Sequence, residues 1–127
     1  MENLGKLKKY FEEKKEVVLA FLFGSQSKGN INKESDFDLA IWVKEGTDQK
    51  KIDRIWQELE SLLHSNVDLV LLNSARPTVA WSALRGQKLL VRDFKLFLSL
   101  FLSVSREAED MQDFLIDYWR MKKRHTV

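Results

Sequence analysis

Three carboxylates and a Gly-Ser pair stand where this sequence could do chemistry. Asp36 and Asp38 flank Phe37 at the start of the apolar segment Phe37–Val43. On an extended strand alternate residues share a face, so the two carboxylates converge while Phe37 turns to the other side. Carboxylates that close repel one another unless a cation sits between them. Hard divalent cations such as Mg²⁺ fit this need, taking a few protein carboxylates and completing their shell with phosphate oxygens. Two such ions, about 4 Å apart, can clamp the attacking and leaving oxygens of a phosphoryl displacement. Asp68 is the sole acid of the run Val67–Leu72. A charge in a buried strand is costly unless paired or metal-bound, and a place beside Asp36 and Asp38 would meet that cost and complete a metal site. Gly24-Ser25 follows the apolar run Val17–Phe23 directly. Glycine lets backbone approach a ligand, and a serine hydroxyl with free N–H groups at a following helix start accepts an anion. Gly29 permits the turn that returns Lys28 over that site. Singly, each signal is common in metal-free proteins; their joint order is specific.

The elements that must position these groups are legible from hydrophobic period. Leu4, Leu7 and Phe11 mark one face of a short helix. Val17–Phe23 and Phe37–Val43 read as strands. Ile52, Ile55, Trp56, Leu59, Leu62 and Leu63 follow a helical period that starts after Gly46-Thr47-Asp48. Val67–Leu72 reads as a third strand, Pro77 opens a helix ending near Gly86, and Lys88–Val91 is a short edge strand or a linker. From Phe94 onward the helical period returns, giving a long helical segment over about 93–123. Its apolar residues over 96–104 run almost all round, which predicts burial on more than one side, against either this chain's own core or another chain. The pattern predicts one α/β (α+β) domain over residues 1–127, a small mixed β-sheet flanked by helices.

Composition narrows the function classes. Twenty-one basic residues against 19 acidic ones leave a net charge of +2, too balanced for nucleic-acid binding by bulk electrostatics. The basic cluster Arg120–His125 reads as a solvated helix end. With no cysteine, disulfides, thiolate metal sites and a cysteine nucleophile are excluded, and a reducing cytoplasm is the expected location. The apolar stretch Leu96–Val104 is far short of the roughly 20 residues that span a bilayer, so no membrane association is expected. His64 and His125 lack ligand-like partners, and Trp42, Trp56, Trp81 and Trp119 read as packing rather than base-stacking platforms.

The segment Phe21-Leu22-Phe23-Gly24-Ser25-Gln26-Ser27-Lys28-Gly29, followed by Ser35-Asp36-Phe37-Asp38-Leu39, resembles the signature of the DNA polymerase β-like nucleotidyltransferase superfamily. Within it, the short chain is similar to the minimal nucleotidyltransferases, the antitoxins of HEPN–MNT toxin–antitoxin pairs. Val67-Asp68-Leu69-Val70, Asn73 and Pro77 fit the third strand and its exit, and Asp110–Arg120 is more loosely like the group's last helix. The resemblance implies that Gly24, Ser25, Lys28 and Gly29 hold the nucleotide. It implies that Asp36 and Asp38 bind two Mg²⁺ ions, and that Asp68 binds the catalytic one and helps deprotonate the acceptor. ATP would supply AMP to a tyrosine hydroxyl of a HEPN toxin, silencing it. Lys28 stands where the group often has arginine. Two other functions stay open at this point: an aminoglycoside-type small-molecule nucleotidyltransferase, for which the chain is short, and a purely binding antitoxin with a vestigial site.

Overall fold

A computed structural model of the chain describes residues 2–24 and 37–105. The elements run α1 (Glu2–Glu12), β1 (Val17–Phe23), β2 (Phe37–Val43), α2 (Gln49–Leu63), β3 (Val67–Leu71), α3 (Pro77–Leu84), β4 (Gln87–Val91) and α4 (Phe94–Ser105). The strands form one mixed sheet in the order β3-β2-β1-β4. β1 is antiparallel to both β2 and β4, and β2 is parallel to β3, as the intervening α2 crossover requires. The short edge strand is therefore the correct form of the Lys88–Val91 segment.

Alternation along the strands feeds two cores. Phe37, Leu39, Ile41, Val67 and Leu69 face α1 and α2, meeting Leu7, Phe11, Ile52, Ile55 and Leu59. Leu19, Phe21 and Ala40 face α3 and α4, meeting Ala80, Ala83, Leu84, Phe97 and Phe101. Each helix buries one stripe, and fully burying one such side chain contributes about 1.5–3 kcal/mol. In α4 that stripe is Phe97, Phe101 and Val104, while Ser99 and Ser103 are exposed and Leu96, Leu98, Leu100 and Leu102 are half-buried. Burial is thus one-sided within the described part of this helix. The rest of the 93–123 helical segment, and Arg120–His125 and Trp119 with it, lies outside the described residues.

Helix ends and strand edges are fixed by side chains. The Asp48 carboxylate accepts from the Lys51 N–H and opens α2, which His64 closes in a left-handed conformation (φ 52°). Asp93 opens α4 by accepting from the Leu96 N–H at 3.0 Å. Its neighbour Arg92 donates to the carbonyls of Phe11, Glu12, Lys14 and Val17, gathering the C-terminal end of α1 onto β1. Asn73 both donates to the Val43 carbonyl (2.9 Å) and accepts from its N–H (3.0 Å), tying the exit of β3 to the end of β2. Trp56 Nε1 donates to the Val67 carbonyl and Glu60 accepts from the Val67 N–H, so α2 covers the start of the β3 edge. Trp42, Trp56 and Trp81 are half-buried packing residues. Among the described residues no helix is long and apolar enough to cross a membrane.

Candidate active site

One end of the sheet collects the groups that sequence spacing singled out. β1 arrives there at Phe23-Gly24, while β2 and β3 start there with Asp38 and Asp68 as second residues. Phe23 pairs with Asp38, and Asp38 pairs with Asp68. Since Phe37 and Leu39 belong to the α1–α2 core, Asp38 turns to the α3–α4 face, and Asp68, between Val67 and Leu69, turns the same way. Two carboxylates on adjacent strands thus stand side by side, in an arrangement that costs stability unless a cation neutralises it.

Their environments differ. Asp38 is 4% exposed, on a central strand; Asp68 is exposed, on the edge strand. The expectation that Asp68 is a costly buried charge is therefore corrected. Its run is apolar on both faces, with Val70 and Leu72 packed in the α3–α4 core, but Asp68 stands near the start of an edge strand beyond which, among the described residues, no further strand lies. The buried acid is Asp38.

The geometry at Gly24 explains why a glycine follows β1 here. Its φ is +75°, and a Cβ there would overlap the Asp38 carboxylate oxygen and lie 2.8 Å from Cγ. The missing side chain is a cradle into which Asp38 fits. Oxygen donors of this kind suit a hard divalent ion rather than a soft one. Among the described residues no group of three or more acids, histidines or cysteines could hold a metal. Asp36, the partner two residues from Asp38, lies outside the described residues, as do Ser25, Lys28 and Gly29. Of the seven sequence-predicted site residues, the fold therefore brings together Gly24, Asp38 and Asp68.

Two cations that sequence reasoning passed over share this face. Arg85 lies with its guanidinium carbon 5.3 Å from the Trp81 ring centroid, and Lys88 Nζ lies 5.5 Å from that of Phe97. The first pair was legible as an i, i+4 spacing on a helix; the second spans two elements and had no local signal.

The family model for polymerase beta nucleotidyltransferases matches residues 5–95, which contain Gly24, Asp38, Asp68, Arg85 and Lys88. The chain belongs to the polymerase β nucleotidyltransferase family. Among curated members of this nucleotidyltransferase family, it is 31% identical over 104 residues to the protein adenylyltransferase MntA of Shewanella oneidensis, covering 80% of this chain and 75% of MntA. It is 34% identical over 73 residues to a putative protein adenylyltransferase of Methanocaldococcus jannaschii, covering 58% of this chain and 85% of that one. Solved structures agree with the nucleotidyltransferase fold. A toxin–antitoxin crystal structure with AMP-PNP superposes with a TM-score of 0.66 at 28% identity, over 93% of this chain and 98% of the other. An MNT antitoxin in complex with a tri-AMPylated Shewanella oneidensis HEPN toxin superposes at 0.62 and 26%, over 94% and 97%.

Proposed function

We propose that this chain is a Mg²⁺-dependent protein adenylyltransferase that moves AMP from ATP onto a tyrosine hydroxyl of a HEPN-domain toxin and so acts as its antitoxin. What carries the reading is the adjacency of buried Asp38, exposed Asp68 and the Gly24 cradle in a chain matched along its length by protein adenylyltransferases. A further MntA–toxin structure, with two aspartate-to-glutamate substitutions two positions apart, superposes at a TM-score of 0.65 and 25% identity, over 94% of this chain and 99% of the other. That spacing is the spacing of Asp36 and Asp38.

In this reading Asp36 and Asp38 would hold two Mg²⁺ ions and Asp68 would share the one nearer the acceptor. Bound there, the ions would neutralise charge on the phosphates and favour the deprotonated acceptor. The chain's own part is placement. Gly24 and Ser25, with Lys28 and Gly29, bind the triphosphate; Asp38 is held rigid against Gly24. Asp68, exposed at the edge strand, meets an incoming protein hydroxyl and takes its proton. The acceptor oxygen bonds to the α-phosphorus, the bond from that phosphorus to the β-phosphate bridging oxygen breaks, and pyrophosphate leaves. Such catalysis is chiefly positioning and electrostatic stabilisation. ATP as donor sets the reaction in the cytoplasm, where a cysteine-free chain has no disulfide to lose.

The test is to incubate the purified chain with Mg²⁺ and α-labelled ATP, with and without its co-expressed partner, beside an Asp38→Ala control. Label is expected on a tyrosine of the partner and absent in the control. Tight partner binding with no label would sink the reading in favour of a purely binding antitoxin.

A further inference from the structure

Among the described residues, two glycines let backbone close on this end of the sheet: Gly24 and, in the turn from α3 to β4, Gly86. Gly86 stands directly before Gln87, the register partner of Leu22 on β1. A Cβ on Gly86 would overlap the Leu22 carbonyl oxygen, lie 2.9 Å from Phe23 Cβ and lie 3.2 Å from the Ala83 carbonyl oxygen. No rotamer change can turn these atoms aside, because carbonyl oxygens and Cβ atoms move only with the backbone. Gly86 is held on its α3 side as well. Its N–H donates to the Ala83 carbonyl at 3.0 Å, and Ala83 and Leu84 are buried in the α3–α4 core. A side chain at position 86 would therefore drive the end of β1 away from β4.

On its far side the end of β1 meets β2, where Leu22 pairs with Leu39 and Phe23 with Asp38. Leu39 and Asp38 are both buried. Phe23 leads straight into Gly24, whose backbone lies so near the Asp38 side chain that a methyl group has no room. Close contacts therefore run in one line across the sheet, from Gly86 to Phe23-Gly24 and on to Asp38. We infer that Gly86 is a positioning residue for the Asp38 carboxylate. Its bare backbone sets how near the end of β1 lies to β2, and so where the buried acid stands to meet a divalent cation. This deepens the adenylyltransferase reading and rests on it for the role of that cation, whereas the seating of Asp38 is a property of the fold. Ordinary carbon contacts lie near 3.5–4.0 Å, so a methyl group at position 86 moves the end of β1 by roughly 1 Å. A close-packed interior transmits such a shift rather than absorbing it. A displacement of that size at a metal-holding carboxylate costs on the order of 100-fold in rate.

The test is a double-mutant cycle on the full chain, by urea unfolding without Mg²⁺. Asp38→Ala empties the space toward which β1 is driven. Gly86→Ala is therefore expected to raise the unfolding constant by at least about threefold less in that background than in the wild type. Arg92→Met, at the opposite end of the sheet, is expected to have the same effect in both backgrounds. Additive effects of Gly86→Ala and Asp38→Ala would overturn the assignment. Should Gly86→Ala alone fail to fold, recovery of folding in the double variant would support it, and no recovery would overturn it. The second measurement is the Mg²⁺ requirement of AMP transfer. Gly86→Ala is expected to raise the half-saturating Mg²⁺ concentration by about tenfold or more, as changes behind a metal ligand do. Arg92→Met is expected to leave it within about twofold. An unchanged requirement in Gly86→Ala, or an equal shift in Arg92→Met, would overturn the positioning role. Coupled unfolding effects in a chain that transfers no AMP would remove the adenylyltransferase reading and leave the seating of Asp38 by Gly86 standing.

Discussion

Replacing Gly24 by alanine should damage the site more than the fold, and the structure separates the two effects. Gly24 and Gly46 both have positive φ, +75° and +89°. A Cβ at Gly46 meets nothing within 4 Å, whereas one at Gly24 lies 2.8 Å from Asp38 Cγ and 3.0 Å from its Cβ. Left-handed backbone costs a non-glycine residue roughly 1–2 kcal/mol. Gly46→Ala should therefore cost about 1 kcal/mol and leave AMP transfer intact. Gly24→Ala carries that cost and must also push the Asp38 carboxylate out of its place, off its rotamer, for a further 0.5–1.5 kcal/mol or so. Ordinary carbon contacts lie near 3.5–4.0 Å, so the carboxylate has to retreat by roughly 1 Å. A displacement of that size in a catalytic group costs on the order of 100-fold in rate. Urea unfolding of both variants gives the stability difference, and label transfer from α-labelled ATP gives the rate. The reasoning fails if Gly24→Ala transfers AMP within about threefold of wild type, or if it is no less stable than Gly46→Ala.

Asp38→Asn keeps the shape of the side chain but removes one of two adjacent like charges. Without Mg²⁺ it should be as stable as wild type or up to about 1 kcal/mol more so, while transfer falls by roughly 100-fold or more and the thermal stabilisation conferred by Mg²⁺-ATP disappears. A persisting Mg²⁺-ATP shift would refute the assignment of Asp38. Arg92→Met removes four donated hydrogen bonds, although the Phe11 and Lys14 carbonyls keep backbone donors, and should lower stability by about 1–3 kcal/mol in urea. Arg92→Lys should rescue little, because an ammonium lacks the guanidinium fork; full rescue would speak against the staple. Tyr10 donates to Glu58 at 2.6 Å, and Lys14 contacts the same carboxylate oxygen at 2.8 Å. Burial, then the bond to Glu58, holds the Tyr10 hydroxyl well above the ordinary tyrosine range, while Lys14 and Tyr10 hold Glu58 below the ordinary carboxylate range. The tyrosine's contribution is whole below the unfolded value of about 10 and is lost as pH rises above it; that of Glu58 is present above about 4.3 and is lost as pH falls through its folded value. In a Tyr118→Phe background, phenolate absorbance should appear only as the chain unfolds in alkali; ionisation near pH 10 in the folded chain would contradict this.

Much of the frame was legible because its signals are local. Val17–Phe23 and Phe37–Val43 are strands with the bounds their apolar runs suggested, and Asp48 opens α2 where a cap was expected. The third run ends as a strand at Leu71 rather than Leu72, although the Leu72 N–H still donates to the Ile41 carbonyl. What local pattern could not reveal depends on partners far along the chain. Arg92 reads as a loop cation until α1, some 80 positions earlier, brings its last carbonyls to it. Tyr10 and Glu58, 48 positions apart, give no sign of each other. Asp68 was misjudged as buried because an apolar run does not distinguish an edge strand from a central one. Of the Asp-x-Asp and Gly-Ser motifs the described residues hold Asp38 and Gly24, which meet at one sheet end, whereas the placing of Arg85 and Lys88 depends on α3, β4 and α4 meeting there.

The side-by-side seating of Asp38 and Asp68 also ties the register of β3 to the polarity of its two faces. If β3 docked one residue out of step, Asp68 would enter the apolar layer with Ile55, Leu59 and Leu63, and an unpaired acid there would expel the misdocked strand. A two-residue slip would keep the acid on the same side of the sheet but leave it about 7 Å along the strand from Asp38, so only the native register sets the two carboxylates side by side.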